Sequence, residues 1–169
     1  LAAERIRTTA PMPLLARREP ANRNTMNKAI PQDENYGFED TSFKAAGGFE
    51  GIQKLVKCFY QFMDQLPEAK TIRAMHAEDL SLIDDKLTHF LCYWLGGPRQ
   101  YREKYGPLSI PGAHRHLAVG EQERDVWLLC MEKAVELQAY KPSFKKYLLQ
   151  QLARPAEGIR KSSQGIAAQ

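Results

Sequence analysis

Residues 49–66 read FEGIQKLVKCFYQFMDQL. Phe49, Ile52, Leu55, Val56, Phe59, Phe62, Met63 and Leu66 recur at intervals of three and four, the spacing that puts apolar side chains on one face of an α-helix. Charged and polar residues fill the opposite face, so this segment predicts an amphipathic helix with one buried stripe. Pro67 follows at once and cannot continue the helix.

Working outward, the same period returns three times. A second helix is predicted over Leu80–Leu95, with Leu80, Ile83, Leu87, Phe90, Leu91 and Trp94 on its stripe and Gly96-Gly97-Pro98 as its stop. A third is predicted over Gln122–Tyr140, carried by Val126, Leu129, Cys130, Ala134 and Leu137. The fourth starts at Pro142, a residue suited to a first helical turn, and runs through Phe144, Tyr147 and Leu148 past a kink at Pro155. No segment alternates apolar and polar residues as a half-buried strand would, so the fold class is all-α. Between the second and third helices lies PRQYREKYGPLSIPGAHRHLAVG, residues 98–120, with pattern for only a helical turn or two. A connection of that length inside a compact domain usually carries function.

The 169 residues and 43% hydrophobic content suit one domain with a tail. Residues 1–35 form a basic extension expected to be disordered, with Met26 as a candidate start; the domain is expected over 36–165 and a short tail over 166–169. The segment 1–31 holds six basic and two acidic residues, so the whole net charge of +4 resides there and the remainder is balanced. That argues against a folded nucleic-acid-binding surface. No apolar run is long enough to span a membrane. Cys58, Cys92 and Cys130 each sit in a helical apolar pattern without a close partner cysteine, which predicts reduced thiols and a cytoplasmic setting.

His76, His89, His114 and His116 are the only imidazoles. His114 and His116 could begin a zinc site, but the further ligands at the usual spacings are missing. A haem requires an axial ligand, an apolar slot and cations at its edge. The 80–95 helix offers such a wall, with Lys86 beside it as a propionate partner. Tyr60 and Trp127 each bring one polar group to an otherwise apolar stretch, a placement equally consistent with ordinary core packing.

Three blocks then occur in order: TSFKAAGGFEGIQKLVKCFYQFMDQLPEAKTIRAMHAEDL, FLCYWLGGPRQYREKYG and GAHRHLAVGEQERDVWLLCM. Together they resemble the truncated haemoglobins, group II, over about residues 41–155. The resemblance implies a globin-like two-over-two helical sandwich enclosing one haem b. It implies His114 as proximal iron ligand, with His116 as the competitor. It further implies Tyr60, His76 and Trp127 around the distal ligand, His76 also being able to take the sixth iron position. Ile83, Leu87 and Phe90 are implied as pocket lining and Lys86 as a propionate partner. Ala113 stands where relatives often carry an arginine, so Arg115 or His116 is expected to take over that pairing. The extension has no counterpart in the family.

Donors at Tyr60, Trp127 and His76 imply slow release of bound O2, and hence ligand storage or sensing, with NO and CO as further ligands. The alternative is a redox enzyme performing NO dioxygenation or peroxide reduction. That alternative needs a separate reductase, since no dinucleotide-binding motif is present. A haem-free helical interaction domain would explain the apolar stripes alone.

Overall fold

A computed structural model describes residues 34–167 of the chain. The expected extension over 1–35 lies, but for its last two residues, outside them. Eight α-helices follow in order: α1 (Thr41–Ala45), α2 (Gly48–Gln65), α3 (Lys70–Ala74), α4 (Ser81–Trp94), α5 (Gln100–Tyr105), α6 (Ile110–His114), α7 (Glu121–Glu136) and α8 (Pro142–Ala167). A 3-10 turn, Pro67–Ala69, leads into α3, and no strand occurs among the described residues.

The stripe of α2 becomes the centre of the core. Ile52, Leu55, Val56, Phe59, Tyr60 and Met63 are buried there. They share one cluster with Leu91 of α4, Cys130, Met131, Ala134 and Val135 of α7, and Phe144, Leu148 and Leu152 of α8. α2 packs on both α4 and α7, and α7 packs on α8, giving one pair of helices over another. α5 rests on α4 and α6 on α8, so the irregular stretch is pinned across one side of the sandwich. Phe49 departs from the expected stripe. It is 39% exposed, at the start of the helix, where its ring meets His89 edge-on.

The helix ends have local causes. Leu66 is extended, as the residue before a proline must tend to be, and α2 stops there. The Asp79 carboxylate accepts the Ser81 N–H at 2.9 Å and the Ser81 hydroxyl at 2.6 Å, fixing the start of α4. Its far end turns at Gly96, with φ +91°, where a Cβ would lie 1.9 Å from the carbonyl oxygen of Glu39. Only glycine meets both demands. The Glu123 carboxylate accepts the Gly120 N–H at 2.9 Å and so caps α7.

α7 ends at Glu136, four residues before the expected Tyr140. The chain must reverse before Pro142, and Leu137, the last apolar residue of the sequence pattern, points outward at 66% exposure. α8 continues through Pro155 to Ala167, two residues past the expected domain end. α1 and α3 are too short for a periodic signal. Cys58, Cys92 and Cys130 are free thiols, the last two buried, as their apolar settings implied. No described helix is long and apolar enough to cross a membrane.

Candidate functional site

A cavity of about 450 Å³ opens between α2, α3, α4, α6, α7 and α8. Its lining includes Tyr60, His76, Ile83, Lys86, Leu87, Phe90, His114, His116 and Trp127. The sequence candidates thus converge on one space, with two exceptions among those named. Arg115 is exposed and is not part of the lining, whereas His116, its alternative, is. His89 is buried behind the wall, where its Nδ1 donates to the Asp85 carbonyl at 2.8 Å.

His114 closes α6, a five-residue helix that starts on Ser109, whose hydroxyl oxygen accepts the Gly112 N–H at 3.1 Å. From this position His114 Nδ1 lies 2.7 Å from the Ile110 carbonyl oxygen. A carbonyl can only accept, so Nδ1 carries a proton, and in the uncharged tautomer Nε2 is the nitrogen left with a lone pair. His76 is held in the same way, with Nδ1 2.7 Å from the Ile72 carbonyl oxygen. Burial pushes the His76 pKa below the usual histidine range. The Ile72 bond opposes this, while Arg73 and His114 add to the lowering, so the ring stays neutral.

Tyr60 is 6% exposed and its ring meets His76 edge-on at 5.9 Å between centroids. Burial, and then the charge of Asp84, pushes its pKa far up, so the hydroxyl remains an O–H donor. Phe59 sits between the two aromatic donors, 4.9 Å from the Tyr60 ring and 5.1 Å from that of Trp127. Lys86 lies over the Tyr105 ring at 5.3 Å. Tyr105 in turn donates to Asp85, which also pairs with Lys104 at 2.6 Å. The α4–α5 junction beside the cavity is therefore tied by charge.

The profile of the bacterial-like globin family matches residues 41–160. The chain belongs to this family, on its group II truncated haemoglobin branch. The curated group 2 truncated haemoglobin YjbI of Bacillus subtilis is 29% identical over 105 residues, covering 62% of this chain and 77% of that protein. The group II 2-on-2 haemoglobin of Agrobacterium tumefaciens is 34% identical with a TM-score of 0.67, covering 70% of this chain and 92% of that one. A cold-adapted truncated haemoglobin of Pseudoalteromonas haloplanktis is 28% identical, also at TM-score 0.67, covering 70% and 95%. The fold is accordingly the 2-on-2 helical globin sandwich, and the family implies a haem cofactor.

The residues of this globin fit that group. The cavity has apolar walls from α4 and α8, an imidazole at His114, and Tyr60, a residue 6% exposed, whose hydroxyl can donate. The zinc alternative lacks such support, because no cluster of three metal-binding side chains forms among the described residues.

Several lining residues escaped the sequence reading. Leu152, Ala156 and Ile159 follow helical spacing along α8 and could have been found by extending the fourth stripe past Pro155. Ile72 and Met75 sit at a helix too short to show a period. Arg124 also lines the cavity, but its guanidinium donates to Glu157 at 2.6 Å and to Asp125 at 2.9 Å. Glu157 additionally accepts two bonds from Arg160, and these bonds, with that from Arg124, hold its carboxyl down to about 2.

Proposed function

We propose that this globin binds haem b through His114 Nε2 and holds O2 or a related diatomic ligand beneath Tyr60 and Trp127, releasing it slowly in a storage or sensing role. The observation that carries this reading is the His114 Nδ1 bond to the Ile110 carbonyl at 2.7 Å, which leaves Nε2 as a fixed donor to a metal in a cavity lined by Tyr60 and Trp127.

When bound, haem supplies an iron whose sixth position takes a small ligand. The chain supplies the rest. Tyr60, 6% exposed, keeps its proton and can offer it to negative charge developing on a ligand. Trp127 offers an indole N–H from α7, with Phe59 fixing the spacing between the two rings. His76 contributes differently: with its Nδ1 proton committed to Ile72, it presents a lone pair, which suits an acceptor or a second iron ligand better than a donor. With haem bound, His76 would be able to serve as a second ligand to the iron.

The proton of His114 goes to a neutral carbonyl, without the carboxylate partner that would push the imidazole toward its anion. This supports ligand holding over peroxide cleavage. The three free thiols suit a reducing cytoplasm.

The test is to load the full chain with haem and record ferric, ferrous and CO-bound absorption spectra. Stoichiometric uptake with a histidine-ligated ferrous CO spectrum is expected. Absence of specific uptake would overturn the reading.

A further inference from the structure

A second cavity of about 310 Å³ lies at the far end of α4, away from the His114 site. Tyr93, Trp94 and Tyr147 provide its aromatic walls, and Glu39 and Ser42 its polar groups. Its lining residues include one acidic residue and no basic one. The size is at the lower end of small-molecule pockets.

Two features mark this as more than a surface dent. Glu39 is the one non-glycine residue with positive φ among the described residues, at +48°. A side chain there costs more than glycine would, yet the chain keeps a carboxylate. Glu39 is exposed and pairs with no cation among the described residues, so its charge is free to meet one from solution, while its neighbour Asp40 is matched by Lys44 at 3.0 Å. The second feature is Ser42, 1% exposed, whose oxygen accepts the Gly37 N–H at 2.8 Å. Its hydroxyl proton finds no acceptor among the described residues.

The aromatic walls are held in place from behind. Trp94 stacks on Phe90, with centroids 6.1 Å apart and planes at 28°, and Tyr147 stacks on Phe144 at 6.2 Å and 27°. Gly37, at φ +88°, lets the chain pass Tyr147: a Cβ there would lie 2.8 Å from the Tyr147 hydroxyl.

We propose that this cavity is a binding site for a small organic ammonium ion, held by Tyr93, Trp94 and Tyr147 with Glu39 as counter-charge. Aromatic walls attract a cation through their ring quadrupoles, and a weakly hydrated alkylammonium loses little by leaving water. A metal ion would need a second carboxylate, and an anion would be repelled by Glu39. Because Phe90 also lines the haem cavity, the Phe90–Trp94 stack joins the two sites through one helix.

The experiment titrates tetramethylammonium chloride into the haem-loaded, CO-bound full chain, followed by amide NMR shifts, with tert-butyl alcohol as the uncharged control. Saturable shifts at Ser42 and Gly96 are expected for the cation alone. Glu39→Gly suits the backbone at this position and removes the side chain with its charge, so it should fold and bind about five-fold more weakly. Tyr93→Leu, at a residue 45% exposed, should weaken binding by a similar factor. Absence of saturable shifts, equal response to the alcohol, or unchanged affinity in Glu39→Gly would overturn the assignment.

Discussion

His114 and His76 carry the same constraint: each donates Nδ1–H to the carbonyl four residues earlier, at 2.7 Å in both cases, leaving an Nε2 lone pair for one shared cavity. They differ in their supports. His114 ends a short helix laid against α8, while His76 follows α3 and meets the Tyr60 ring. Two imidazoles held in this way could each serve a metal taken into the cavity, and substitution separates their roles.

His114→Gly should abolish histidine ligation of ferrous haem, and added imidazole should restore it by entering the vacated space. His116→Ala should leave the ferrous spectrum unchanged, since His116 lies at the exposed edge of the cavity. Absorption and resonance Raman spectra of both variants check the assignment. Ligation lost in His116→Ala and kept in His114→Gly would reverse it.

His76→Ala should convert the resting iron from six-coordinate to five-coordinate or water-bound, and should speed CO association because no internal ligand has to leave. A resting spectrum identical to that of the unmodified chain would remove His76 from the iron.

Tyr60→Phe deletes one O–H with little change of shape. A hydrogen bond to a charged group contributes about 1.5–3 kcal/mol, so O2 release should accelerate about ten- to hundred-fold. Stopped-flow displacement of O2 by CO measures this. Pairing the change with Trp127→Phe in a double-mutant cycle tests whether the two donors share one ligand.

Much of this arrangement was legible in the sequence because long amphipathic helices announce themselves. α2 and α4 were expected within a residue of their observed bounds, as Pro67 and Gly96 leave the backbone little choice. Tyr60 and Trp127 could be singled out by their polar groups, but only the similarity to the truncated haemoglobins in the three blocks turned them from core residues into site residues. What stayed hidden depends on contacts distant in the chain. α1 and α3 have five residues each, less than two turns, and are stabilised by packing on α2 rather than by their own pattern. The exposed position of Arg115, against the placement of His116 in the lining, follows from where α6 stops, which no local spacing encodes. The bond of Arg124 to Glu157 spans 33 positions and has no sequence signature.

Phe59→Ala should reveal how far the core sets the site. Phe59 is fully buried and touches both Tyr60 and Trp127, so truncation should cost about 3–5 kcal/mol of stability. It should also accelerate O2 release, although Phe59 carries no polar group. Chemical denaturation and the O2 dissociation rate together check this. A large stability loss with unchanged release would show that the two donors are positioned by other contacts.

Glu157 links α7 to α8 beside the cavity, and its effect on stability should depend on pH in a defined direction. Bonds from Arg160 and then Arg124 lower its pKa from 4.5 to about 2 in the folded chain. The unfolded chain therefore takes up a proton first as pH falls. The stabilisation is fully present above about 4.5 and disappears between there and about 2. Glu157→Gln keeps the shape but removes the charge, so it should lower the urea midpoint slightly at neutral pH, the carboxylate being close to solvent. The gap between the variant and the unmodified chain should then close as pH falls through this window. A gap that stayed constant down to the lower limit would mean that Glu157 acts through packing, and that the two arginines hold α7 and α8 together without its charge.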